Sequence, residues 1–292
     1  KVRKDWVELE DDPVAMKELT SRIEFAEELL RETLESAVDP AHTGPVWYWR
    51  GQATTVVNRR QLNRLLSEVC DEVYPLAPQV KNELINRGKL STSVVIAAKK
   101  IVEGLLAAKG EPNLSFSGNG PEVSVLAGIL ASNNLYTEDG KGLWSLSRPK
   151  ADADHGMSAT WEAIEKFLAS LDKAESFDNL YETLKAPPYG IREGLVPLLT
   201  WIVLIYHRHS VCLYEKGTYV REWSPEVFDR FVKAPGNFST RWLVFGDKIG
   251  ILLQRLNDVI PRNTELLELR DGIPMTGFLY NLYHWYQTLP DF

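Results

Sequence analysis

The residues of this chain whose types could do chemistry are few, and they are scattered. His207, His209 and Cys212 form the one cluster with metal-binding donors. On a strand, the two histidines would share a face and Cys212 would fall on the other, with no fourth ligand nearby in sequence. That pattern reads as the polar end of an apolar helix, where a cationic side chain such as Arg208 suits the helix C-terminus. A phosphate-binding loop needs GxxxxGK followed by Ser or Thr between a strand and a helix. The nearest strings, GNGPEVS at 118–124 and EDGKGLW at 138–144, lack that pair. No G-x-S-x-G elbow occurs, and His155 and His284 stand alone. No catalytic, metal-binding or cofactor-binding residue is assigned on these patterns.

The basic residues are better grouped. Arg59, Arg60 and Arg64 open one segment. Lys81, Arg87, Lys89, Lys99 and Lys100 follow, and Arg208, Lys216, Arg221, Arg230, Lys233 and Arg241 surround a hairpin-like stretch. Of these, Lys216, Arg221, Arg59, Arg60, Lys99 and Lys100 are the candidates for contact with nucleic-acid phosphate. The bland alternative is a solvated charged face. The formal net charge of the 292 residues is −7, and residues 1–40 supply −6 of it, with 12 acids against 6 bases. Bulk charge therefore argues against a protein that coats nucleic acid, while leaving room for a local basic face.

The elements that must hold these residues are mostly helices. Periodic apolar positions predict helices over 13–37, 59–74, 82–88, 91–110, 121–133, 161–174, 177–185, 191–209, 225–233, 247–259 and 276–289. Asp12-Pro13 is a helix start, a capping carboxylate followed by Pro at the first helical position. Strands are expected over 46–57 and 238–245, with hairpins at 133–147 around Asp139-Gly140 and at 210–223 around Lys216-Gly217. The order of helices followed by a hairpin occurs at 79–147 and again at 161–223, and the polar stretch 147–160 separates the two. The expected class is mainly α with small β-hairpins, in two winged-helix-like units plus flanking helices. Its expected divisions are 1–45, an acidic helix and linker; 46–147, the first unit; 161–245, the second unit; and 246–292, C-terminal helices.

The longest apolar run, 195–206, is about half of the roughly twenty residues a membrane span needs, so it is expected in a core, and no membrane partner is expected. Cys70 and Cys212 read as two free, buried thiols in a reducing, cytoplasmic compartment. The chain begins with Lys1 and is expected to be a piece of a longer protein.

Three stretches together carry a resemblance: NRRQLNRLLSEVCDEVYPLAPQVKNELINRGKLST at 58–92, PEVSVLAGILASNNLY at 121–136, and APPYGIREGLVPLL at 186–199. They resemble the region downstream of the ATPase core in large bacterial P-loop proteins of phage-defence islands, the BREX-type exclusion ATPases. The resemblance covers most of 45–235 and implies a helical and winged-helix region that contacts partner domains, partner subunits or DNA. It places the Walker motifs upstream of these residues. Two other functions are weighed beside it: a stand-alone winged-helix DNA-binding regulator, and a hydrolase whose site is assembled from residues distant in sequence.

Overall fold

The computed structural model describes residues 12–40, 46–150, 155–169, 176–208 and 210–242, with short pieces at 255–256, 282 and 285–289. The helices expected at 247–259 and 276–289 lie largely outside the described residues. The chain divides into two compact units, 1–73 and 74–292. The described residues are mainly α-helical with small antiparallel sheets, and none of their helices is long and apolar enough to cross a membrane.

In the first unit, α1 spans Pro13–Val38 and starts as expected. The Asp12 carboxylate accepts hydrogen bonds from the amides of Val14 and Ala15, at 2.9 and 3.1 Å. The single strand expected over 46–57 is instead a hairpin of β1 (Trp47–Trp49) and β2 (Gln52–Thr54). Arg50 and Gly51 both take positive φ, 50° and 75°, which is the two-residue turn that matches strand twist. The turn is tied to α2 (Arg59–Val73), where Glu72 accepts from Trp49 Nε1 at 3.1 Å and pairs with Arg50. Asn58 and Gln61 cap α2 reciprocally: Asn58 Oδ1 accepts from the Gln61 amide, and Gln61 Oε1 from the Val57 amide.

The second unit is built around one hydrophobic core that runs from Val80 to Phe238. Its first long helix, α3 (Thr92–Ala107), buries Val94, Ala97, Ala98, Ile101, Val102 and Leu105 at helical spacing. The segment 82–88, expected as a helix, is a series of turns. Asn82 anchors it by donating to the Ser124 carbonyl at 2.8 Å and accepting from the Leu84 amide at 2.9 Å. Next come α4 (Pro121–Leu126), which runs on into a π-helical turn over Ala127–Ala131, and the hairpin of β3 (Tyr136–Glu138) and β4 (Trp144–Leu146).

Helix α5 (His155–Leu168) starts earlier than the expected 161, inside the stretch read as a linker. The reason is packing. A Cβ placed on Gly156 would lie 2.2 Å from the Ala77 carbonyl oxygen, so only glycine lets α5 approach that backbone. After α6 (Phe177–Lys185), the APPYG turn forms a corner. The Ile191 amide donates to the Leu184 carbonyl at 2.9 Å, the Leu76 amide to the Pro188 carbonyl at 3.1 Å, and the Gly194 amide to the Arg87 carbonyl at 2.9 Å.

Helix α7 (Val196–Tyr206) is shorter than the predicted 191–209 and is buried on every side from Val196 to Ile205. β5 (Val211–Glu215) then pairs with β6 (Thr218–Tyr219) on one edge and with β7 (Phe238–Trp242) on the other, both antiparallel. Between β6 and β7, α8 (Pro225–Lys233) supplies Phe228 and Phe231 to the core. Trp201 of α7 meets Trp223, Phe228 and Phe231 edge-on, at centroid distances of 5.8, 5.4 and 5.9 Å. Phe231 also contacts Phe177, Tyr181 and Phe238. This aromatic cluster joins α6, α7, α8 and β7.

Replacing Gly156 with alanine tests the close approach of α5. On helix propensity alone Gly156→Ala would gain about 1 kcal/mol. The clash with backbone should reverse that sign and cost about 1–3 kcal/mol, seen as a lowered midpoint in urea denaturation.

Candidate functional site

Two features of the second unit stand out: the tip of the β5–β6 hairpin, and a charge network at the end of α7, near the opposite end of β5. The hairpin tip is exposed and turns on Lys216 and Gly217, with φ of 49° and 78°. Its turn is held by the Lys216 amide, which donates to the Asn237 carbonyl at 2.7 Å. Lys216 and Arg221 both point to solvent, and among the described residues no ion pair holds either.

Of the other basic residues of this region, Arg241 is exposed on β7, while Arg230, Lys233 and Arg208 are committed. Arg230 forms a fork with Glu215, its Nε and Nη2 each 2.9 Å from a carboxylate oxygen, so α8 is clamped to β5. That pairing holds the Glu215 carboxyl below its ordinary range and raises Arg230. Lys233 pairs with Asp229 at 2.7 Å. Arg208 is half-buried, donates to the Leu106 carbonyl at 3.3 Å, and has its pKa lowered by that burial.

The remaining candidates divide in the same way. Lys99 and Lys100, side by side on α3, each meet a carboxylate at the start of another helix: Glu226 of α8 at 3.0 Å and Glu122 of α4 at 3.2 Å. These pairs lower both glutamates, Glu226 chiefly through the Lys99 contact and Glu122 first through its own backbone amide and then through Lys100. The two lysines thus tie helices together. Arg59 and Arg60 are exposed at the first turn of α2, in the first unit, where the helix dipole opposes a positive charge. Of the four candidates in the second unit, Lys99 and Lys100 are thus in ion pairs, and Lys216 and Arg221 face solvent.

The network at the end of α7 joins residues far apart in sequence. Glu165 of α5 accepts from Trp161 Nε1 at 2.7 Å and lies 2.8 Å from His207 Nε2, both through Oε1, while Oε2 pairs with Arg148 at 2.7 Å. The His207 ring sits against Tyr206 and Trp242, at 4.8 and 4.7 Å. Burial pushes the Glu165 carboxyl up, but the hydrogen bonds from His207 and Trp161 and the charge of Arg148 outweigh it, so the net shift is downward. Both oxygens are occupied, so this carboxylate acts as a tie between α5, α7 and the loop after β4.

From sequence His207 is only a polar helix end, and its partner is not legible. Trp161 and Glu165 share a helix face at i,i+4, but nothing in the spacing connects them to position 207. His209 lies outside the described residues, as does the side chain of His155, and among the described residues no group of three or more His, Cys, Asp or Glu is placed to hold a metal. Cys212 is half-buried on β5 and its thiol is raised by burial. Cys70 is exposed on α2, which corrects the expectation that both thiols are buried. An apolar crevice lined by Leu135, Met157, Thr160, Trp161 and Ile164 carries no titratable side chain.

No family model, curated protein or solved structure matches this chain.

Glu165→Gln keeps the shape of the side chain and removes its charge. Loss of the negative charge that Arg148, His207 and Trp161 all bond to should destabilise the second unit by about 1–3 kcal/mol at neutral pH. The sign with pH follows from the lowered carboxyl. Its contribution is full above the ordinary carboxylate range and is lost as pH falls through the lowered value. Urea denaturation at stepped pH should therefore show a smaller acid-side loss of stability in the variant.

Proposed function

We propose that this chain is a non-catalytic assembly and interaction region of a large bacterial phage-defence ATPase, with winged-helix-like units at 46–147 and 161–245 and a hairpin that contacts DNA phosphate. The observation that carries the reading is the burial of α7. In a groove-reading winged helix the third helix enters the major groove with base-contacting side chains. Here that helix is enclosed by core from Val196 to Ile205, and it presents no side chain to a base edge. What remains outward is the hairpin tip with Lys216 and Arg221, a pair suited to phosphate, which positions a protein on DNA without reading sequence. The resemblance of 58–92, 121–136 and 186–199 to the BREX-type ATPases supports the assignment of the parent.

This reading predicts weak, sequence-independent binding to duplex DNA that falls steeply with salt. Lys216→Glu with Arg221→Glu should weaken it and reduce the slope of log K against log salt by about 2, close to one for each phosphate no longer neutralised. Fluorescence anisotropy on two unrelated duplexes measures both. No binding at low salt removes the phosphate contact, and strong preference for one duplex favours a stand-alone regulator. For the parent, the coding sequence upstream of Lys1 should contain GxxxxGK followed by Ser or Thr, and its absence removes the ATPase assignment.

A further inference from the structure

Helix α1 is 26 residues long and buries none of them. At 1.5 Å per residue it extends about 39 Å. Met16, Leu19, Ile23, Ala26, Leu30 and Ala37 nevertheless fall on the two seam positions of a heptad repeat, with Thr33 at the one remaining position and Leu34 beside it. Met16, Ile23, Leu30 and Leu34 are 38–59% exposed. A largely apolar seam on a water-facing helix, broken only at Thr33, is the pattern of a coiled-coil strand.

The flanking charges identify the occupant. With Met16, Ile23, Leu30 and Ala37 at the first seam position of the heptad and Leu19, Ala26 and Thr33 at the fourth, Arg22 and Glu27 take the two flanking positions, g and e. In a parallel, in-register pair of identical helices, position g faces e of the next heptad on the other strand, so Arg22 meets the second copy's Glu27 twice by symmetry. An antiparallel pair sets g against g and e against e. The g residues are Ala15, Arg22, Leu29 and Ser36, and the e residues are Thr20, Glu27 and Leu34, so no opposite charges would meet. In the single chain Arg22 leans on Glu18 at 2.9 Å, an exposed contact that contributes little and is readily exchanged.

We propose that α1 pairs in parallel with α1 of a second copy of this chain. The inference deepens the assembly reading by naming a partner, and it rests on that reading only in taking this face to be covered in the working protein. The assembly reading fails on a different result, the missing nucleotide-binding segment in the parent.

Sedimentation equilibrium of the whole chain should give a reversible dimer. Leu30→Asp should make it monomeric with an unchanged far-ultraviolet spectrum, because Leu30 is 59% exposed on α1. Arg22→Glu should weaken dimerisation by about fivefold, the effect of losing two surface pairs of about 0.5 kcal/mol each, and adding Glu27→Arg should restore it. Ile23→Cys in a Cys70→Ser background should cross-link on oxidation, since only parallel, in-register pairing sets position 23 against itself. A monomer at the highest concentration the chain tolerates, a dimer indifferent to Leu30→Asp, or no Ile23→Cys cross-link would overturn the proposal.

Discussion

The second unit depends on the enclosure of one apolar helix. α7 has no polar face, so it is stable in water only if other elements cover it on all sides. α3, α5 and α8 do so, and the rings of Trp223, Phe228 and Phe231 close around Trp201. The constraint reaches outward. α8 must sit where its phenylalanines meet Trp201, which fixes the connection from β6 to β7 and so the sheet. The Arg230–Glu215 fork and the Lys99–Glu226 pair then set α8 against β5 and α3 from the solvent side. The carboxylate of Glu165 pins the far end of the same helix through His207.

This arrangement consumes most of the charge that might serve a ligand. Arg230 and Lys233 near the hairpin are spent on internal pairs, while Lys216 and Arg221 at the tip are left toward solvent. An outward hairpin above an enclosed third helix suits contact rather than sequence reading, which is the physical basis of the proposed role. The first unit is the reverse case. None of the residues of α1 is buried, and the helix carries an apolar seam with charged flanks on its surface.

The elements that can be read from sequence are those with local punctuation. Asp12-Pro13 marks α1, and Lys216-Gly217 and Asp139-Gly140 mark hairpins, because caps and turns need specific residues at specific offsets. The departures come where distant backbone decides the outcome. Arg50 takes a positive φ that arginine seldom adopts, and so a hairpin looks like one strand. The 82–88 stretch has a helical pattern, but the Arg87 carbonyl is engaged by the Gly194 amide and Asn82 is held by Ser124, and those bonds hold it in turns. Gly156 looks like a linker residue because its purpose, room for the Ala77 carbonyl, lies far away in sequence. The same distance hides the site. Glu165 with His207, Lys99 with Glu226 and Lys100 with Glu122 are all pairings that only the folded chain brings together, whereas the exposed hairpin tip and the apolar character of 195–206 are legible from composition.

If α7 is the centre of the second unit, it never opens toward a ligand. Native-state hydrogen exchange measures this directly. The amides of 199–205 should exchange only through global unfolding of the second unit, with opening free energies equal to its stability in denaturant. Exchange of those amides through a local opening, at a free energy well below global unfolding, would contradict that central role and return α7 to the surface as a binding element.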